Sequence, residues 1–208
     1  MPTILRAGER LKSTYSFEPV DHLHRTEFYI WEEALTRWKG EGLPEDWRET
    51  NLFRYDPPGM FGTGVDLGWC EPPFLPAFEE KVIEVQGDHE IIQDFAGRWL
   101  KVFTGRRHGF MPDYLKHPVT CLKDWETVVL PRLNPATPER WERIRGKPAE
   151  ARARAGAVGG MVNQGLVGGY MYLRALIGPE DLLYAFHDQP ELVHAAMEGW
   201  LAIMDAGV

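Results

Sequence analysis

Six residues, Gly105-Arg106-Arg107-His108-Gly109-Phe110, hold the densest chemistry in the chain. Arg106 and Arg107 could clamp a carboxylate through their forked donors, and His108 could move a proton near neutral pH. The same residues also fit an exposed hairpin end with solvated arginines. A second stretch, "GLVGGYMYLRALIG" from Gly165 to Gly178, places Gly168 and Gly169 where an apolar segment hands over to a helix. Glycine there either relieves a tight turn or lets a ligand approach the backbone. The histidines offer little for a metal. His22 and His24 alternate on an extended approach, His187 and His194 lie seven apart, and neither pair is near Cys70 or Cys121 in sequence. No metal ligand set is therefore assigned within these residues.

The elements that position these groups follow from pattern. With 208 residues, 44% apolar, the chain can bury a substantial core. No apolar run nears the roughly 18 residues that span a bilayer. Two cysteines give no disulfide framework and fit a reducing cytoplasm. A net charge of −8 speaks against a general nucleic-acid or membrane-surface binder, since both need a positive footprint. A small anionic substrate at a local basic cluster remains compatible with it.

Along the chain, "RAGERLKSTYSF" reads as a short amphipathic helix and Arg25–Trp31, "RTEFYIW", as a strand. "EEALTRWKGEGLP" reads as a helix that Gly42 ends and Pro44 stops. Residues 51–78 hold five prolines and four glycines and predict an irregular connection, over a pocket or around a short strand. Residues 80–105 predict a three-stranded antiparallel meander with a turn at Gln86-Gly87-Asp88. A helix is expected from Asp124, and another from an N-cap at Thr137 with Pro138 in the first turn, its positive charges forming a solvated face. "GAVGGMVNQGLVGG" suits a buried strand, and helices follow it: one over "YMYLRALIG", one opening at Pro179 with Glu180 and Asp181 in its first turn, and one capped by Asp188 with Leu192, Ala196 and Ile203 at helical spacing.

Five segments in order, "EFYIWEEALTRWKGEGLPEDW", "VDLGWCEPPFLPAFEEKVIE", "GRRHGFMPDYLKHPV", "RLNPATPERW" and "GGYMYLRALIGPEDLLYAFHDQPELVH", resemble members of the uroporphyrinogen decarboxylase superfamily. The likeness runs from about Arg10 to the end and is nearest to divergent bacterial members. It implies an α/β fold of the (β/α)8 TIM-barrel type, with the meander as an insertion. A complete barrel needs roughly 250 residues, so the resemblance makes residues 1–208 the N-terminal part of one. The implied activity is decarboxylation of a porphyrinogen-like substrate without a cofactor. The alternatives are corrinoid-dependent methyl transfer, with zinc and a corrinoid protein whose ligands lie outside this chain, or a non-catalytic half-barrel that pairs with itself or a missing C-terminal half.

By the same resemblance Asp66 is the candidate acid that meets pyrrole N–H groups, while Asp56 before Pro57 suits turn capping; His108 joins Asp66 as the second catalytic candidate through its imidazole chemistry. Arg106, Arg107, Gly168, Gly169, Tyr170, Tyr172 and Arg174 become candidate substrate contacts; Arg174 stands where decarboxylases keep a tyrosine. Glu32 and Glu33 stand where the decarboxylases carry substrate-holding arginines, which points to a substrate other than a tetra-anionic porphyrinogen.

Overall fold

Small residues and proline decide where elements can form, and the computed structural model, which describes residues 4–107 and 111–207, divides at such places. Residues 4–64 and 146–163 form one compact unit; 65–145 and 164–207 form the other. Gly146, with φ at +87°, sits at one boundary. It breaks what the sequence presents as a single helix into α4 (Pro138–Glu142) and α5 (Lys147–Ala157). Only glycine tolerates that backbone without strain.

The first unit holds α1 (Ala7–Tyr15), α2 (Glu32–Gly40), β1 (Met60–Gly62), α5 and β6 (Met161–Asn163). β1 and β6 pair in parallel, Met60 opposite Met161 and Gly62 opposite Asn163. Close backbone approach explains two of its glycines. A Cβ on Gly8 would lie 2.4 Å from the Gly159 carbonyl oxygen, and one on Gly59 would lie 2.8 Å from the backbone of Ala7. α2 ends as the sequence predicts, with Gly42 at φ +104°. The strand expected over Arg25–Trp31 does not form; this stretch is irregular and Phe28 is 80% exposed. β-branched and aromatic residues favour strands by fitting a half-buried pleated surface, and among the described residues no neighbouring strand supplies one here.

In the second unit β2 (Lys81–Gln86), β3 (His89–Gln93), β4 (Trp99–Phe103) and β5 (Asp113–Lys116) make an antiparallel sheet in chain order. The meander is thus one strand longer than the sequence predicts. Gly87 carries the β2–β3 turn at φ +64°. Ile92, Leu100 and Val102 form a small cluster on one face.

The main core lies under the helices. Leu122–Leu133 is one continuous helical stretch that widens to π geometry at Trp125–Val129 and tightens to 3₁₀ at Leu130–Leu133. It starts two residues before the expected Asp124, whose carboxylate accepts bonds from Thr120 instead. Trp125, Val129 and Leu133, spaced four apart, are buried against α6 (Gly169–Ile177), α7 (Asp181–Asp188) and α8 (Pro190–Gly207). Each such fully buried side chain stabilises the fold by about 1.5–3 kcal/mol. Asp188 does not cap α8 but ends α7; the Gln189 carbonyl accepts from Leu192 and Val193.

The fold is mixed α/β, with parallel and antiparallel sheets. Among the described residues no barrel closes, and the parallel pairing is the three-residue β1–β6 ladder. The glycine-rich stretch expected as a buried strand contributes only Met161–Asn163, partly exposed. Glycine gives a strand no side chain to pack and raises its ordering cost. No helix among the described residues is long and apolar enough to cross a membrane.

Candidate functional site: an arginine-ringed loop

The irregular segment Asp66–Phe78 in the second unit is shaped by prolines, and a cis bond joins Leu75 to Pro76. Proline removes donors, so the carbonyls of such a loop must find partners elsewhere. Arginines supply them. Arg140 donates through Nη1 to the Pro73 carbonyl and through Nη2 to the Arg132 carbonyl, which also accepts from the Leu75 amide at 2.8 Å. The Arg132 guanidinium lies 4.3 Å from the centre of the Phe78 ring. Arg98 donates to Glu71 at 2.8 Å. Arg174, on α6, and Arg98 both act electrostatically on Cys70.

These four cations are not equally neutralised. Asp94 holds Arg98 through Nε at 2.9 Å and Nη2 at 2.6 Å, while its other oxygen accepts from the amides of Ala96 and Arg98. With Glu71 added, Arg98 is fully compensated. Its guanidinium also lies 5.0 Å from the Tyr114 ring centre. Arg140 is different. It is 8% exposed, it bonds only to carbonyls, and its Nε has no partner. Burial pulls its guanidinium below the ordinary value, opposed by the charge of Asp66. The Nε of Arg132 is likewise buried and unpaired. Arg174 is half-buried, and its recorded bond is a weak one to Met171 Sδ at 3.7 Å. Arg132, Arg140 and Arg174 therefore make no ion pair among the described residues, and Arg174 is the one of the three that is not mostly buried among carbonyls and ring faces.

Cys70 is no activated nucleophile. Burial pushes its thiol up and Glu71 adds to this, against the opposing pull of Arg174 and Arg98.

The residues singled out from sequence fall in different places. Asp66 lies on the loop, exposed, with Oδ1 accepting from the Gly68 amide at 3.0 Å in a turn that leaves Oδ2 available. The two aspartates thus differ from the expected picture in one respect: the turn is capped by Asp66. Asp66 caps the turn, whereas Asp56, in the first unit, accepts from the Arg25 amide at 2.8 Å, His22 Nε2 at 3.2 Å and Arg10 Nη1 at 3.3 Å. Arg10 is buried and also grips both oxygens of Asp21 at 2.8 and 2.9 Å. His22 Nδ1 lies 3.4 Å from Asp21, so both its ring nitrogens face carboxylates. With both ring nitrogens close to carboxylates, His22 ties chain segments together in that cluster.

Arg107 is engaged by Glu90 at 2.8 Å, so the expected two-arginine clamp is half spent on the sheet itself. Arg106 is exposed at the end of β4. His108 lies outside the described residues. Tyr172 is wholly buried, packed edge-on against Trp125 with its hydroxyl unpaired, so it has no surface to offer a substrate. Tyr170 is half exposed. Gly168 has ordinary extended dihedrals and open space where a Cβ would be. Gly169 is small because Met197 of α8 lies there: a Cβ would come within 2.8 Å of its Cε. Helix packing accounts for Gly169, and the open side of Gly168 leaves room for an approaching ligand.

Sequence reasoning missed Arg132 and Arg140. Arg140 sits in a run of alternating charges, which reads as a solvated helix face. The signal that could have found it is the proline-rich loop upstream, whose carbonyls need donors from outside it. No family model, curated protein or solved structure matches the chain.

Proposed function

We propose that the chain is an enzyme of the uroporphyrinogen decarboxylase superfamily that holds a carboxylated, porphyrinogen-like substrate or a related acid against the Asp66–Phe78 loop. The observation that carries this reading is a buried Arg140 that bonds only to carbonyls and feels the charge of Asp66, with Arg174, held only by Met171 Sδ, acting on Cys70 of the same loop. A buried guanidinium without a carboxylate is costly, and a substrate carboxylate repays that cost on binding. The parallel β1–β6 pair with α5 against it is the kind of unit from which a (β/α)8 barrel is assembled, and it supports the same reading.

In this reading Arg174 and Arg140 hold carboxylates, and Asp66 accepts an N–H from the substrate ring. The C–C bond to one carboxylate breaks, CO2 leaves, and the electron pair is spread over the ring. A proton then goes to the carbon that lost CO2, with His108 as its carrier. Fixed cations stabilise the developing charge without reorganising. The methyl-transfer alternative would need a zinc ligand set, and among the described residues no group of three or more His, Cys, Asp or Glu is placed to form one.

The test is CO2 release by the full chain under anaerobic conditions, from uroporphyrinogen and from smaller pyrrole acetic acids. Release from at least one of them, reduced about tenfold or more by Arg174→Gln, is the expected result. Tight binding without release would favour the non-catalytic half-barrel module, and no binding of any acid would overturn the reading.

A further inference from the structure

The first unit carries a concavity whose chemistry is opposite to that of the arginine-ringed loop. Phe28, Tyr29, Trp47 and Tyr55 line it with Glu27 and Glu32, and its volume is about 250 Å³. That lies below the roughly 300–1,000 Å³ of drug-sized sites, so the occupant is small. Two features decide its class. The carboxylates of Glu27 and Glu32 are in no ion pair among the described residues: Glu27 accepts only from the Phe28 amide, at 2.8 Å. The aromatic walls already draw a cation, since the Arg48 guanidinium sits 4.7 Å from the Trp47 ring centre and bonds to neither glutamate. Aromatic faces beside uncommitted carboxylates favour an organic cation over a neutral or anionic group.

We propose that this pocket binds a small alkylammonium compound, with Arg48 standing on the Trp47 face where the ligand's ammonium would otherwise stack. Tyr29 and Tyr55 form the remaining walls, and Glu27 and Glu32 supply the countercharge. The site is independent of the arginine-ringed loop and stands or falls separately.

The experiment is a titration of the full chain with choline chloride at constant ionic strength, read by NMR at the Trp47 indole and the amides of residues 27–32, 47, 48 and 55. The neutral isostere 3,3-dimethylbutanol serves as the comparison. A saturable response to choline is expected, several-fold tighter than to the alcohol. Glu27→Gln with Glu32→Gln weakens it, and Arg48→Ala, which frees the ring face, tightens it about two- to five-fold. Because these three positions are exposed, the variants keep the fold. Equal affinity for choline and the alcohol, or no response to choline up to about 50 mM, overturns the proposal.

Discussion

Replacing Asp94 with Ala tests how the site is held in place. The Asp94 carboxylate accepts four bonds, from the Ala96 and Arg98 amides at 3.0 and 2.8 Å and from Arg98 Nε and Nη2 at 2.9 and 2.6 Å. Its loss opens the β3–β4 turn and leaves Arg98, 6% exposed, with Glu71 as its remaining carboxylate. Stranding a buried charge costs about 3–5 kcal/mol. Glu71, itself partly exposed, keeps the figure near 3 kcal/mol. At about 2–4 °C per kcal/mol for a chain of this size, melting falls by about 6–12 °C. Glu71→Gln removes one partner from an Arg98 still held twice by Asp94, and costs about 1 kcal/mol. The assay is thermal unfolding by near-UV circular dichroism, with amide hydrogen exchange of β3 and β4 to place the loss in the second unit. An Asp94→Ala protein that melts within about 2 °C of wild type, or one no worse than Glu71→Gln, would refute the reasoning.

Three further outcomes follow from the same geometry. A Cβ at Gly199 would lie 2.6 Å from Trp125 Cζ2, a rigid buried ring, so Gly199→Ala destabilises by about 1–3 kcal/mol, whereas Gly168→Ala, facing open space, leaves the melting temperature unchanged and lowers acid binding only if the ligand lies over that backbone. Burial pushes the Asp56 carboxyl up, but the Arg25 amide, His22 and Arg10 outweigh it and hold it below the usual range. Its contribution is therefore full above about pH 4 and lost as pH falls through the folded value, so Asp56→Asn flattens acid unfolding of the first unit, followed by NMR. Burial holds His117 below the ordinary imidazole value, opposed by its bond to the Ala175 carbonyl at 3.0 Å. The unfolded chain binds that proton first, so the second unit loses stability as pH drops below about 6.5, and His117→Gln removes that slope in denaturant titrations between pH 7 and 5.

Local signals were legible where the chain decides its own structure. Gly42 and Gly87 mark their turns, the period-two runs of 81–103 give three antiparallel strands, and Leu192, Ala196 and Ile203 give the buried face of α8. Signals that depend on a distant partner were not. Arg25–Trp31 has the composition of a strand but joins no sheet among the described residues, and the break at Gly146 is hidden in a run that reads as one helix. The site divides in the same way. Asp66 and Arg174 were picked out only through the resemblance, whereas Arg140 matters because it is buried against a loop 67 residues away, which no local pattern records.

The central claim is that the Asp66–Phe78 loop and its arginines hold a carboxylate. It is tested most directly by titrating the full chain with a pyrrole dicarboxylic acid while following the Nε–H resonances of Arg132, Arg140 and Arg174 by NMR. The account predicts saturable shifts at those three and at the amides of residues 66–78, abolished by Arg174→Gln together with Arg140→Met. Shifts confined to other regions, or binding that survives the double substitution, would contradict it.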